Sequence, residues 1–360
     1  TLSDLEVIVG ANGAGKTCLF EFLKLLRNGM TKAISPEILA GSLGENVFHV
    51  GGEEKIQWQL EIELDETTTL RYLGEILGPV RAPEIAWERV EAINEREELS
   101  ILLDVKENSG KVGEKLEEEI TVLPNELALS KIDNPAMVNL YKLREYIGGW
   151  KFYSSFNIAR EKISQPVLIK PEPILDDDCG NLSSVLYYFM KEYPLLYKQL
   201  QQHLGSVVPG FDSLTVKTSE KPAKAVAFWQ EKGIEKDLTI ADLSDGIMRL
   251  ICWICLYLHP LPHPLICIDE PDEGVHPRTL PLMAGLLEKA SKRNQILLAV
   301  HSSYLLSQFD LSPIAVIRKE NGAAQFIKPA KSPIIRGMIE EFGIEEVEHL
   351  HKSNELELLP

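Results

Sequence analysis

The sequence predicts an α/β fold with a mostly parallel core sheet, and three observations carry the prediction. The first is the segment Gly10 to Thr17, Gly-Ala-Asn-Gly-Ala-Gly-Lys-Thr, directly behind the apolar run Val7-Ile8-Val9 and ahead of a helical stretch from Cys18 to Leu26. The second is the run Leu265-Ile266-Cys267-Ile268, which ends in Asp269-Glu270. The third is the alternation of short apolar runs with helical patterns between residues 246 and 300. That alternation is the pattern of buried parallel strands covered by helices.

Gly10–Thr17 has the full G-x-x-x-x-G-K-T spacing in its strand–loop–helix context, which makes the fold a P-loop NTPase. The glycines let successive N–H groups face a polyphosphate, Lys16 reaches the β- and γ-phosphates, and the Thr17 hydroxyl is a magnesium ligand. A tight turn that binds nothing would need none of these fixed positions.

Composition limits the rest. The 360 residues allow about two domains or one discontinuous one, and 44% apolar residues suffice for a core. The net charge of −17 argues against a chain coated with nucleic acid over its whole surface, although a local basic track remains compatible with it. No apolar run approaches the roughly 18 residues of a membrane span; the longest, Ile247–Leu258, carries Arg249 and reads as a buried helix. No signal peptide is present, and the start at Thr1, almost on a strand, looks trimmed. The five cysteines form no framework, which points to a reduced, cytoplasmic setting. Cys252 and Cys255 have C-x-x-C spacing but lie inside the apolar helix and read as small hydrophobes.

In chain order, Lys55–Leu64 alternates as a half-buried strand does, and Thr67–Leu77 and Ala86–Ile93 extend it to an antiparallel meander. The acidic stretch 94–120 reads as a solvated hairpin or loop with Asn108-Ser109-Gly110 at its turn. Asn134–Tyr146 is helical, Gln165–Pro173 is proline-rich and extended, and Asn181 to about Leu204 is helical again. Strands at Ser213–Thr218 and Ala225–Gln230 lead to the apolar helix 246–258; a strand at Leu265–Ile268, a helix at 278–292 and a strand at Gln295–Val300 follow. No heptad array is present.

The strand 265–268 delivers two carboxylates at its C-terminal end, where open α/β sheets bind ligands. Asp269 suits Mg²⁺, and Glu270 is placed to orient or deprotonate an attacking water. His301 ends the next apolar strand, within reach of a γ-phosphate or that water. Leu243-Ser244-Asp245-Gly246 precedes the apolar helix; Ser244 is a good N-cap, and the helix N-terminus it opens can bind a phosphate.

The order of these motifs, with Ile268-Asp269-Glu270-Pro271-Asp272-Glu273-Gly274-Val275-His276-Pro277 and Val300-His301-Ser302, resembles the ABC-type ATPases of the RecF/SMC/OLD-like group. Within it the chain is most similar to prokaryotic RecF-like "AAA family ATPase" proteins, with further matches at Gly149–Tyr153 and Asp178–Tyr187. The resemblance implies an ABC-ATPase-like domain in which two heads pair head-to-tail around ATP and Mg²⁺. Carried over by position, Gly10, Asn12, Gly13, Gly15, Lys16, Thr17 and Cys18 bind the nucleotide, and Thr17 and Asp269 hold the metal. Lys16, Glu270 and His301 serve catalysis, and Ser244 and Gly246 meet the nucleotide of the other copy. His276 matches a histidine usual after the acid pair.

Two departures stand out. Asp245 occupies the place of a second glycine, which sets a carboxylate near a phosphate unless it is engaged elsewhere, and argues against a transporter motor. For the glutamine that joins the lobes only Gln57 and Gln59 are candidates, and the adenine-stacking aromatic is not identifiable. The expected organisation is one discontinuous domain over 1–360. It comprises the phosphate loop and β lobe (1–80), an inserted β/helical lobe (81–150) and a helical signature lobe (151–262). The acid and switch-histidine core (263–330) and a C-terminal helical tail (331–360) complete it. Two functions fit: an ATPase whose ATP-gated dimerisation controls an act on DNA, in repair or anti-phage defence, or a regulatory scaffold with slow turnover that controls a partner such as a nuclease. Lys217, Lys221, Lys224, Lys232 and Lys236 are candidates for a DNA track but read better as a solvated face.

Overall fold

The computed structural model describes residues 2–333 and 337, apart from 12, 49–51, 66–67, 95–97, 157, 159, 177, 221–222 and 321. Asn12, Lys221 and nearly all of the expected tail 331–360 therefore lie outside the described residues. The chain divides into two compact units, one of residues 1–16 and 151–360, the other of 17–150.

The first unit opens with β1 (Leu5–Val9), buried at every position. The phosphate loop leads from it into α1 (Lys16–Gly29), whose residues from Thr17 onward belong to the second unit. That unit continues with α2 (Pro36–Ala40). It then forms a six-stranded antiparallel meander of β2 (Lys55–Asp65), β3 (Thr68–Leu77), β4 (Glu84–Ile93), β5 (Leu99–Lys106), β6 (Ser109–Val112) and β7 (Glu118–Thr121), closed by α3 (Val138–Gly148). β2 shows why the pattern was readable: Trp58 and Ile62 are buried while Gln57, Gln59, Glu61 and Glu63 face solvent. The described residues of 94–120 form the expected hairpin and a third strand. They supply β5–β7, and the turn falls at Glu107 and Asn108 (φ +48° and +72°), one step earlier than Asn-Ser-Gly. The sheet also runs without a break at residue 80.

A buried carboxylate locks this unit. Glu88 on β4 is fully buried and accepts from Tyr72 Oη (2.9 Å) and from the backbone N–H groups of Leu129 (3.1 Å) and Ala128. Burial raises its carboxyl to about 7, against the lowering effect of those three donors. A folded-state value above the unfolded one stabilises the fold below pH 4.5, and that contribution disappears as the pH rises through 7. By one pKa unit per 1.36 kcal/mol it amounts to about 3 kcal/mol. Thermal unfolding of Glu88→Gln against the wild type checks this. The difference in melting temperature is expected to change between pH 4.5 and 7 and to be flat outside that window; parallel curves throughout would count against the assignment.

The chain returns to the first unit through β8 (Lys151–Ser154), α4 (Arg160–Ile163), β9 (Val167–Leu168), α5 (Leu182–Glu192) and α6 (Pro194–Val207). The expected helical section 181–204 consists of two helices, because Pro194 cannot continue α5 and instead opens α6. The hairpin β10 (Phe211–Glu220) and β11 (Ala223–Glu231), with short β12 (Leu238–Thr239), pairs with β9 in a four-stranded sheet. Then come α7 (Asp245–Leu258), β13 (Leu265–Asp269), α8 (Leu280–Ser291), β14 (Gln295–Ala299), α9 (Ser303–Leu306), β15 (Ile314–Glu320) and β16 (Ala323–Ile327).

The main sheet has the order β16-β15-β1-β14-β13-β8, with every pairing parallel except β15 to the edge strand β16. Its core is organised by α7, which is buried on all faces from Leu250 to Leu258. Trp253 stacks on Tyr257 (5.7 Å) and meets Phe156 at 4.3 Å. Cys252 and Cys255 sit in this core with burial pushing both thiols up, so they act as apolar packing groups. Among the described residues no helix is long and apolar enough to cross a membrane.

Candidate nucleotide site

The three motif-bearing strands lie side by side. β14 pairs with β1 on one flank and β13 on the other, with Ala299 in register with both Ile8 and Asp269. Parallel pairing therefore brings the phosphate loop, the acid pair and His301 to the same edge of the sheet, at the strands' C-terminal ends.

The loop is tightly made. Ala14 N–H closes a turn on Ala11 O (3.1 Å), and Gly13 and Gly15 have φ of +82° and +115°. Gly10 is required by close approach: a Cβ there would stand 2.2 Å from the carbonyl oxygen of Ile317 on β15. Lys16 is 6% exposed and donates its ammonium protons to the carbonyls of Gly10 and Ala11 (3.4 Å to the latter). Thr17 and Cys18, in the first turn of α1, are exposed. The hairpin β15–β16 flanks the loop, since a Cβ on Gly15 would lie 3.2 Å from that of Ala324. Lys328 anchors this hairpin by pairing with the fully buried Glu6 of β1. Sequence reasoning left both the hairpin and the anchor unread.

Asp269 ends β13, half-buried, in register with Ser154 of β8. The match at Gly149–Tyr153 thus includes part of the edge strand beside the acids. Glu270 leaves the strand with φ +49°, a left-handed conformation that costs a non-glycine residue about 1 kcal/mol, while its N–H still bonds Ala299 O at 3.0 Å. The turn directs its carboxylate to His301, whose Nε2 is 3.3 Å from Glu270 Oε1. Asp272 follows with Oδ1 buried and unpaired; burial, added to by nearby Glu270, raises its carboxyl above the ordinary range.

Ser244 caps α7, its Oγ accepting from Ile247 N–H at 3.4 Å. Gly246 fits because a Cβ there would lie 2.8 Å from Gly274 O, so the signature helix touches the loop that follows the acids. Arg249 fastens the same contact by donating to Glu273 O (3.2 Å). Asp245 is engaged elsewhere: Arg160 of α4 pairs with its carboxylate and donates to Ala241 O (2.8 Å). His276 is exposed and caps a short turn, accepting from Arg278 N–H at 3.1 Å. Gln57 is bonded to Glu75 on the neighbouring strand, and Gln59 is exposed. Within the basic cluster, Lys217 is paired with Asp237 (2.8 Å) and lies over the Phe228 ring at 4.3 Å. Among the described residues no group of three or more His, Cys, Asp or Glu side chains is placed to hold a metal ion.

Sheet, loop and acid strand together define an α/β P-loop fold of the kind that binds nucleoside triphosphates. Residues 6–307 match the family described as "AAA domain, putative AbiEii toxin, Type IV TA system", and the chain belongs to that family. Among solved structures, an SMC head bound to the C-winged helix domain of ScpA superposes with a TM-score of 0.50 at 12% identity, over 91% of each chain. The SMC head from Thermotoga maritima gives 0.39 at 13% identity over 91% of each chain. An SMC head with an extended coiled coil from Pyrococcus furiosus, bound to the C-terminal domain of ScpA, gives 0.46 at 12% over 94% of each. The first of these, at 12% identity, shows a likeness of fold alone. No curated protein matches this sequence.

Proposed function

We propose that this chain binds ATP with Mg²⁺, closes head-to-tail with a second copy around it, and reopens on hydrolysis to ADP and phosphate in the cytoplasm. The observation that carries the reading is Glu270 with His301 at 3.3 Å, at the same sheet edge as the phosphate loop. Lys16 exchanges the Gly10 and Ala11 carbonyls for β- and γ-phosphate oxygens. Gly10, Asn12, Gly13, Gly15 and Cys18 contribute the rest of the phosphate cradle. Glu270 takes the proton of the attacking water and His301 orients the γ-phosphate. Asp269 and the Thr17 hydroxyl are hard oxygen donors, too few to hold Mg²⁺ alone, which fits an ion whose remaining ligands are phosphates and water. When bound, the ion neutralises charge on the phosphates. Ser244 and Gly246, at the N-terminus of α7, receive the other copy's γ-phosphate. Because ATP favours the closed pair, nucleotide state sets the population of dimers.

The cycle serves an act on DNA in repair or anti-phage defence. The family description, which names a putative AbiEii toxin and a Type IV TA system, supports a second reading in which slowly turning heads control a partner effector such as a nuclease. Turnover measured with and without DNA separates them: stimulation by duplex or single strands supports the first, indifference the second. Lys16→Ala tests the site shared by both. Losing the charge-assisted bonds to the phosphates should weaken ATP binding by about tenfold or more. Nucleotide titration checks this, and wild-type affinity in the variant would contradict the assignment.

A further inference from the structure

Asp245 is the residue that should make this signature helix a poor phosphate receptor, since it sets a negative charge beside the N–H groups of the first turn of α7. Its carboxylate is held by Arg160 Nη2, while Nη1 of the same guanidinium donates to Ala241 O at 2.8 Å. The arginine thus spans the loop that leads into the signature and the first residue of its helix. Both side chains are about half exposed, and an exposed ion pair adds little to stability. The other carboxylate of the loop, Asp242, is already occupied by Thr239, accepting from its N–H (2.8 Å) and its hydroxyl (2.7 Å). Lys236 and Arg160 are the cations near Asp242, but the carboxylate that Arg160 touches directly is Asp245, at the mouth of the helix.

We infer that Arg160 is a positioning residue of the signature: by neutralising Asp245 it lets the N-terminus of the signature helix receive the phosphates of the nucleotide carried by a second copy. The inference rests on the head-to-tail reading above. Arginine and aspartate act as one unit, replacing the uncharged backbone of a second glycine by a pair of opposite charges.

The test uses Glu270→Gln as the parent, so that ATP is bound but not turned over, and reads dimer formation by light scattering across protein concentrations. Arg160→Gln, which retains a donor for Ala241 O but has no charge, is expected to weaken ATP-dependent pairing by about tenfold or more, the scale of an uncompensated charge at an interface. Adding Asp245→Asn to Arg160→Gln removes the repelling carboxylate and is expected to recover most of the pairing. Binding of ATP to the single protomer should be unchanged in all variants. Pairing of Arg160→Gln as tight as the parent's overturns the inference. Weak pairing that Asp245→Asn leaves unrelieved also overturns it, because the loss would then not run through the carboxylate of Asp245. A parent that stays monomeric with ATP would overturn the head-to-tail reading itself, and this inference with it.

Discussion

Glu270→Gln should lower ATP turnover by about 100-fold or more while ATP binding persists, the usual scale for removing a general base. The carboxylate leaves β13 on a left-handed turn whose N–H is fixed to Ala299, and it faces His301 Nε2 at 3.3 Å. Glutamine keeps the shape and a hydrogen bond to the histidine but cannot accept the water's proton. Rapid-quench measurement of phosphate release checks the chemical step directly. Turnover within about threefold of wild type would move the base elsewhere, with Asp272, whose carboxyl is already raised by burial, as the nearest alternative.

Ser244→Asp should abolish ATP-dependent pairing and reduce turnover by about 100-fold, with no loss of melting temperature. Two roles of Ser244 are separated by this change. As the N-cap of α7 it accepts from Ile247 N–H, and aspartate is an equally good cap, with a charge that favours the helix N-terminus. As a phosphate contact it must be uncharged, and a second carboxylate beside Asp245 exceeds what one Arg160 neutralises. Calorimetry and light scattering on the same sample read the two roles. Intact pairing in a well-folded Ser244→Asp protein would leave the serine as a cap only.

Much of this site was legible because its residues are close in sequence to the strands that carry them. The apolar runs before Gly10, Asp269 and His301 announce three buried strands, and parallel pairing does the rest. The alternation in β2 and β3 is equally plain, since buried side chains alternate with exposed ones in β2 and with half-buried ones in β3. The hairpin that contains β6 was expected without bounds, and β7 not at all, because these two strands bury almost nothing and so lack period-two contrast. Arg160 was unreadable for a different reason: it stands 85 residues from Asp245, in a four-residue helix with no motif of its own. The same holds for Lys328, whose partner Glu6 is 322 residues away. The sequence exposed Asp245 as a problem, and only the fold supplied its partner.

The central claim is that one chain holds half of the functional site and a second copy completes it. The most direct test is the solution mass of Glu270→Gln by light scattering with Mg²⁺ and either ATP or ADP. The account predicts twice the 40.4 kDa of one chain with ATP and a single chain with ADP. A mass of one chain under both conditions, with ATP demonstrably bound, would contradict it.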